Sequence, residues 1–355
     1  MRIAVAMSGG VDSTASALLL KKTGHDVVGL HMLLHEASDR SLETARRVAD
    51  EVEAPLHRID LRREFAERVI KPFLDQYSQG RTPSPCPVCN RFVKMRRLWE
   101  TARSLTCEKL ATGHYARISF GPRGPALMQA VDKKKDQTYF LFMLTRETLG
   151  AVIFPLGDHT KEWARSFLKS EGVMIWESEE SQELCFVPHG DYRSFLKEHG
   201  VDARPGAIKD LDGNVLGRHR GITDFTIGQR RGIGIAAEAP LYVVGIDPMT
   251  DTVFVGPRER TYVAGIVIEE PHCLRTRPFE VGDRFQVKVR STAAAVDCRV
   301  MSMESSGSEI SFAEPQAGVA PGQAAVFYSG ERVLGGGWIA KTVPPGSGGY
   351  QGSAR

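Results

Sequence analysis

The sequence predicts an α/β protein: an N-terminal parallel sheet flanked by helices, then a small, mostly β central domain and a C-terminal β-barrel. Three observations predict it. Short apolar runs alternate with helical periodicities over residues 1 to 115, the pattern of βαβ units with right-handed crossovers. After Pro188 the helical periods give way to Gly- and Asp-rich turns separated by short apolar runs. From residue 264 strand-like segments recur at regular spacing with no helical period, as in a small barrel. A chain of 355 residues is too long for one core, and the changes of character place domains at 1–190, 191–262 and 263–343. The Gly/Pro/Ser-rich stretch 344–355 reads as a disordered tail.

The first apolar run, Ile3 to Ala6, reads as a strand, and Ser13 to Lys22 as the helix after it, stopping at Gly24. Asp26 to Met32 reads as a second buried strand. Leu42, Ala45, Val48, Ala49 and Val52 keep helical spacing until Pro55, Leu56 to Leu61 is a third strand, and Arg63 to Tyr77 a helix. Three prolines between Pro83 and Pro87 predict a loop that ends at Cys86-Pro-Val-Cys89-Asn90 and leads into a basic helix, Arg91 to Arg103. Further on, Phe154 to Gly157 reads as a turn and Trp163 to Lys169 as a helix. In the last two regions, Leu241 to Ile246, Thr252 to Val255, Phe285 to Val289, Val296 to Val300, Glu309 to Phe312, Ala324 to Tyr328 and Val333 to Ile339 read as strands.

Composition excludes several classes. With 42% hydrophobic and 25% charged residues and no apolar run of eighteen, the chain reads as globular with no membrane partner. The first strand starts at residue 3, which leaves no room for a secretory signal, so the expected location is cytoplasmic and the default state a monomer. Six cysteines (86, 89, 107, 185, 273 and 298) in a chain this long do not form a disulfide framework. Cys107, Cys273 and Cys298 have no partner motif and read as packing residues. The net charge of +3 permits a nucleic-acid partner without requiring one. Basic clusters at Arg91–Arg97, Lys133–Lys135 and Arg218–Arg231 are candidate phosphate contacts or solvated faces.

Chemistry concentrates in two stretches. Ala6-Met7-Ser8-Gly9-Gly10-Val11-Asp12-Ser13 joins the first strand to the first helix. Two glycines free to take positive φ expose successive N–H groups at the positive end of a helix, with Ser8 and Ser13 hydroxyls beside them, a place that binds phosphate or pyrophosphate. No Lys-Ser/Thr pair follows the glycines, so it is not the P-loop of ordinary NTPases. Backbone near Met32 and Gly113, at neighbouring strand ends, is placed to hold an adenine ring. The second stretch is Cys86-x-x-Cys89. A thiol at a helix start with Arg91 and Lys94 near is expected to have a lowered pKa and to be nucleophilic. A zinc half-site is the other reading, although no second Cys-x-x-Cys exists. Cys185, isolated in an apolar run, reads as a core residue when taken alone.

Ser-Gly-Gly-x-Asp-Ser after the first strand resembles the PP-loop of the N-type ATP pyrophosphatases, whose fold is adenine nucleotide alpha-hydrolase-like. Followed in order by Thr-Pro-x-Pro-Cys-x-x-Cys-Asn, Gly-His-Tyr-Ala-Arg, Lys-Asp-Gln-Thr-Tyr-Phe-Leu, Ser-Gln-Glu-Leu-Cys-Phe-Val and Phe-Thr-Ile-Gly-Gln-Arg-Arg-Gly, it makes the chain similar, from residue 1 to 343, to the tRNA-specific 2-thiouridylases. The resemblance implies ATP-dependent adenylation of the C2 oxygen of the wobble uridine, then sulfur transfer with loss of AMP. It implies ATP on residues Ala6 to Ser13, Met32 and Gly113, with Asp12 as a partner for Mg²⁺ or pyrophosphate. Cys185 would carry sulfur as a persulfide and Cys89 would release it or close a transient disulfide. The tRNA contacts implied are His114, Lys135, Asp136, Gln137, Arg290, Ser291 and Gln323, with Ser84, Pro85 and Cys86 beside the target base. The sulfur comes from a donor protein or from sulfide.

Two departures stand out. Many members carry Asp where this chain has Cys86, and the loop after Met32 is short. Cys86, Cys89 and Cys185 together offer three thiolates, the number that leaves one iron of a 4Fe–4S cluster open to carry sulfur. Persulfide and cluster chemistry both remain open at this point. So do two other readings: an amidating or ligating PP-loop enzyme that never touches RNA, and a tRNA-binding or sulfur-carrier protein without chemistry.

Overall fold

The computed structural model describes residues 1–35, 38–173, 184–187 and 190–346, with the side chains of 38–40 excepted. Ser181, Gln182 and Glu183 of the Ser-Gln-Glu-Leu-Cys motif and the tail from residue 347 lie outside the described residues. The chain divides into two compact units. One comprises Met1–Ile70, Pro85–Phe186 and Glu331–Leu334, the other Lys71–Ser84, Val187–Gly330 and Gly335–Arg355.

In the first unit β1 (Arg2–Ala6), β2 (Asp26–Leu33), β3 (Leu56–Asp60) and β4 (Lys109–Ala111) form a parallel sheet with the short strand Val152–Ile153. The order is β3-β2-β1-β4 and then Val152–Ile153. Register runs from Arg2↔Asp26 to Ala6↔Leu30 on one side of β1 and from Ile3↔Lys109 to Val5↔Ala111 on the other. Ile3, Ala4, Val5, Val28, Leu30 and Leu110 are fully buried. Such unbroken apolar runs suit parallel strands covered on both faces by helices. Helices α1 (Val11–Lys22) and α2 (Ser38–Glu51) supply Ala15, Leu18, Leu20, Ala45, Val48 and Val52 to the same core. The chain runs outward from β1 to β3 and returns on the other side to β4. The β1/β4 boundary is therefore the switch point of the sheet, where ligands of such folds sit beyond the carboxyl ends.

Two expectations need correcting. The helix expected from Arg91 starts at Cys86 and continues through a wide π-type stretch, Cys89–Met95, to Ser104. Pro85 caps it and Pro87 lies in its first turn, where the missing N–H has no partner to lose. The region after β4 also contains a hairpin that the sequence does not announce, Ala116–Gly121 with Gly124–Gln129. Arg332 of the returning chain pairs with Met128 on it, and Gln129 N–H donates to Glu331 O at 2.8 Å. Glu331 is also gripped by Arg117 at 2.5 Å and Lys133 at 2.6 Å.

The second unit holds a four-stranded sheet in the order Tyr242–Asp247, Thr252–Gly256, Gly206–Lys209, Val215–His219, over a core of Ile208, Phe225, Val243, Val253 and Val255. It also holds a six-stranded barrel: Tyr262–Cys273, Gly307–Ala317, Val296–Glu304, Arg284–Lys288, Ala324–Ser329 and Arg332–Val343. First and last strands pair, from Gly265↔Val343 to Cys273↔Gly335, and closure removes the exposed sheet edges. Phe279, Phe285 and Phe327 fill the interior, with ring centroids 4.5 to 5.6 Å apart. All five strands expected beyond residue 264 fall in this barrel. Tyr262–Cys273 is the strand the pattern hides, because Pro271 and two glutamates break its alternation.

Candidate active site

The loop between β1 and α1 is held from within. Ser13 Oγ accepts the Ser8 N–H at 3.3 Å and donates to Gly10 O at 3.0 Å, while Ser8 Oγ accepts the Gly10 N–H at 3.4 Å. Only one glycine takes the left-handed conformation, not two: Gly9 has φ +83°, whereas Gly10 is extended (φ −81°, ψ 165°) and caps α1. A Cβ on Gly9 would also stand 2.8 Å from Thr44 Cβ on α2. Ala6 and Val11 are half-buried at the two ends of the loop; Met7 is buried and donates its N–H to Leu30 O. Met32 is half-buried at the end of β2. Gly113 follows β4, and a Cβ there would lie 2.8 Å from the backbone carbon of Asp12. Three strand ends thus meet at the positive pole of α1 with no side chain between two of them, an arrangement suited to a bound phosphate.

Asp12 is the hub of this crevice. Its Oδ1 accepts the Tyr115 hydroxyl at 2.9 Å and Lys161 Nζ at 2.7 Å. Lys161 is a residue that sequence reasoning misses, because the periodicity begins its helix at Trp163. A signal existed: Thr160 caps that helix by accepting the Trp163 N–H at 3.1 Å, which puts a lysine in the first turn, against the helix dipole. Its side chain is only 9% exposed, so the pair with Asp12 is shielded from solvent on the lysine side.

The Lys-Asp-Gln segment supports this hub. Gln137 N–H donates to Tyr115 O, and Gln137 Oε1 accepts the Tyr115 N–H, both at 2.9 Å. Asp136 accepts the Ala130 N–H at 2.9 Å and the Thr138 hydroxyl at 2.7 Å. Asp132 takes the Lys161 N–H at 3.1 Å with one oxygen and the Lys134 and Lys135 N–H groups with the other. Gln137 and Asp136, expected to face tRNA, are engaged inside the fold here; Lys135 is half-buried.

A second group of side chains gathers around Lys94. Cys86, Cys89 and Cys185 all act electrostatically on this ammonium and on one another. Cys89 is buried, Cys86 half-buried and Cys185 exposed, and all three are free thiols. The expectation that Cys89 is acidified is overturned. Burial pushes its thiol up to about 12, and Lys94 offsets only part of this while Cys185 and Cys86 add to it. Cys86 is raised for the same reason. Arg91 gives no help: its guanidinium lies over the Phe92 ring, 4.7 Å from the centroid. Burial alone would lower Lys94, but the three thiols more than reverse that. Asn90 fixes the start of this helix by donating to Phe140 O at 3.0 Å. Cys185 is an exposed thiol, not the core residue its apolar neighbours suggest, though the adjoining Phe186 packs on Phe65 at 5.6 Å. His114 is held by Thr112 Oγ1 at 2.8 Å, and burial, with Lys94 acting in the same sense, takes its ring down to about 3, so it is a neutral imidazole near pH 7.

The remaining sites expected to touch tRNA divide between the units. Pro85 is buried in the first. In the second, Ser84 is half-buried, Arg290 and Ser291 are exposed, and Gln323 Nε2 donates to Thr82 O at 2.9 Å, tying down the segment before Ser84. Arg290 packs against Gly318, and Gly318 against Gly228 of the Gly-Gln-Arg-Arg turn. Arg218, Arg220, Arg230 and Arg231 are exposed, with no acidic partner at ion-pair distance among the described residues. By contrast Arg96 and Arg97 are paired with Glu100, and Lys133 with Glu331.

The side chains fit the groups that the resemblance implies unequally. Asp12 suits a magnesium ion shared with nucleotide phosphates, since that ion is usually held by one or two carboxylates plus substrate oxygens. The three thiols do not suit a cluster as they stand: among the described residues no three His, Cys, Asp or Glu side chains are arranged to hold a metal. No helix among the described residues is long and apolar enough to cross a membrane.

Comparison with known proteins follows the same division. Family models described as the tRNA methyl transferase HUP domain, the tRNA methyl transferase PRC-barrel domain and the aminomethyltransferase beta-barrel domain match residues 1–189, 193–257 and 263–339. The tRNA-specific 2-thiouridylase MnmA of Geotalea uraniireducens is 41% identical over 359 residues, covering 96% of this chain and 96% of that protein. Those of Syntrophotalea carbinolica and Geobacter metallireducens are each 43% identical, covering 95% and 97% of this chain and 98% of each relative. Among solved structures, the U34-tRNA thiolase NcsA from Methanococcus maripaludis with its 4Fe-4S cluster aligns at a TM-score of 0.35 and 15% identity, over 56% of this chain and 65% of that one, too loosely to bear on the site. With identities above 40% over nearly the whole length of these relatives, the chain belongs to the tRNA-specific 2-thiouridylase family.

Proposed function

We propose that this protein uses ATP to replace the C2 oxygen of the wobble uridine of tRNA with sulfur, through a persulfide on Cys185. The observation that carries the reading is that Cys185 and, nearly a hundred residues before it, Cys86 and Cys89 all act on the single ammonium of Lys94. Sulfur relay requires two thiols that exchange sulfur, and an amidating PP-loop enzyme has no use for them.

The chemistry runs in two halves. The uridine O2 attacks the α-phosphorus of ATP, the bond to the bridging oxygen breaks, and pyrophosphate leaves. Residues Ala6 to Ser13, with Met32 and Gly113, form the nucleotide crevice. Lys161 stabilises charge on the departing pyrophosphate, and Tyr115 and Lys161 orient the Asp12 carboxylate. Magnesium held by Asp12 would neutralise phosphate charge. C2 now carries AMP, a good leaving group.

Cys185, exposed, accepts sulfur from a donor protein, and its terminal sulfur attacks C2 and expels AMP. Cys89, as thiolate, then attacks Cys185 Sγ. The bond between the two sulfurs breaks, 2-thiouridine departs, and a Cys89–Cys185 disulfide forms, which an external dithiol reduces. The 2-thiouridine product needs the base splayed out of the anticodon loop, the usual way single-stranded RNA is read. The exposed, unpaired Arg218, Arg220, Arg230 and Arg231 support an RNA partner.

The test is mass analysis of tRNA after anaerobic incubation with ATP and a persulfide donor. Wild type should form thiouridine with AMP and pyrophosphate, leaving one Cys89–Cys185 disulfide per turnover without reductant. Cys185→Ala and Cys89→Ala should still release tRNA-dependent pyrophosphate but yield no free thiouridine. Bound iron that disappears in Cys86→Ala, with thiouridine made from free sulfide, would overturn the persulfide route. Pyrophosphate release indifferent to tRNA would overturn the RNA assignment.

A further inference from the structure

The barrel carries a cleft of about 660 Å³ on its outer face, in a unit that contains none of the three thiols. It lies over the strands Arg284–Lys288 and Val296–Glu304, which run antiparallel with Arg284 directly opposite Arg299 and Gln286 directly opposite Asp297. Side chains alternate along these strands. Phe285, Val287, Cys298 and Val300 are buried within the barrel, so Arg284, Gln286, Asp297 and Arg299 share the outward face. Ser311 stands opposite Arg299 on the next strand, and Ser329 closes the far side.

Two like charges directly opposite in an antiparallel pair weaken a sheet. Here nothing relieves them: among the described residues neither arginine has an acidic side chain within ion-pair distance, although Asp297 lines the same cleft. Two other arginines of the same barrel are neutralised. Arg275 and Arg277 both grip Asp283, at 2.7 and 2.6 Å, and hold its carboxyl down at about 2. A pair left open at a concave site is the arrangement for an incoming anion. Arginine's fork matches phosphate, and a neighbouring carboxylate and amide suit a hydroxyl or an exocyclic amine rather than a second phosphate.

We infer that this cleft binds a phosphate–ribose unit of the tRNA substrate, with Arg284 and Arg299 on the phosphate and Asp297 and Gln286 on the adjoining 2′-hydroxyl. The inference rests on the assignment of tRNA as substrate and adds contacts in the barrel beyond those expected at Arg290, Ser291 and Gln323. The 2′-hydroxyl is a donor as well as an acceptor, so a carboxylate beside the phosphate site favours RNA over DNA.

The experiment measures tRNA affinity against salt for wild type and for the double variant Arg284→Gln/Arg299→Gln. Removing the cations that neutralise one phosphate flattens the log–log salt dependence by about 0.7 to 0.9. The double variant should therefore show a slope lower by about 1, several-fold weaker binding at low salt, a raised KM for tRNA and an unchanged kcat. Because the substitution removes a like-charge pair, its melting temperature should not fall; a drop would mark the arginines as structural and overturn the inference. Wild-type and variant curves that superimpose would also overturn it, while the tRNA assignment stands. A wild type that binds no tRNA would sink both. AMP is the control for a free nucleotide: if AMP binds wild type but not the variant and tRNA binding is unchanged, the site takes a mononucleotide and the RNA inference fails.

Discussion

Two lysines in the first unit face different acids and are left in different states. Lys161 meets a carboxylate, and the pair is already closed at 2.7 Å with the Tyr115 hydroxyl on the same oxygen. Lys94 meets three thiols, and burial holds Cys89 and Cys86 protonated against its pull. No acidic side chain pairs with Lys94 among the described residues. The crevice at Asp12 thus has its internal contacts already made, whereas the thiol group keeps a cation without an acidic counter-ion among the described residues. Such a cation stabilises an anion only when one forms, which suits a transient thiolate or persulfide. On the proposed mechanism, preorganisation would serve the adenylation step and the open charge a short-lived thiolate or persulfide.

The largest expected effect breaks the first half of that contrast. Lys161→Met should lower tRNA-dependent pyrophosphate release by about 10²- to 10³-fold, the usual effect of losing one charge-stabilising donor. Sulfur loading of Cys185, followed by mass, should be untouched. A drop of less than about tenfold would demote Lys161 to support for Asp12. Gly113→Ala acts on the same crevice by shape alone. Its Cβ would stand 2.8 Å from the Asp12 backbone, so stability in urea should fall by about 1–3 kcal/mol, and nucleotide affinity with it. An unchanged affinity would show that the two loops can part without harm.

Acid should sharpen the contrast from the other side. The His114 ring is depressed to about 3 when folded and titrates near 6.5 when unfolded. Between those values the unfolded chain binds more protons, so this contribution is complete above pH 6.5 and is lost progressively down to pH 3. At pH 5 the wild type should have lost about 1–2 kcal/mol relative to pH 7 through this group. His114→Gln should show a shallower acid dependence, and identical curves would refute the assignment. The smallest effect concerns the open cation. Lys94→Met should raise Cys89 further and slow its alkylation at fixed pH by about tenfold, the consequence of a thiol pKa higher by ~1. Lys94→Arg should restore part of the rate, and a rate indifferent to both substitutions would remove Lys94 from the thiol group. Cys185, being exposed, should alkylate first in every variant.

Much of the fold was legible because burial writes period into sequence. The runs at Ile3–Ala6 and Asp26–Met32 are apolar on both faces and fall in β1 and β2. Arg284–Lys288 and Val296–Glu304 alternate as barrel strands do, whereas Ala324–Ser329 is read from its unbroken apolar run. Turn glycines marked the loop between β1 and α1, though spacing alone could not show that of the two only Gly9 is left-handed. Long-range facts were hidden. Lys161 meets Asp12 across 149 residues, and no local pattern encodes that distance. The basic neighbours of Cys89 misled for a related reason: charge is visible in sequence, but the depth of a thiol is set by what packs over it. Gln137 and Asp136 also accept backbone N–H groups of Tyr115 and Ala130, pairings that no local pattern announces.

Glu331 has a consequence for biosynthesis. It belongs to the first unit, where it caps the hairpin at Gln129 and neutralises Arg117 and Lys133, yet it is made 145 residues after Phe186. At about 5–20 residues per second, a ribosome needs roughly 7–30 s to deliver it. During that interval the nascent first unit lacks the Glu331 partner of Arg117 and Lys133 and carries an open hairpin edge. A fragment cut at the end of the first family-model match, at residue 189, would carry the same defect permanently. Glu331–Leu334 is therefore the piece that completes the first unit, so that unit is not finished until nearly all of the chain has been synthesised.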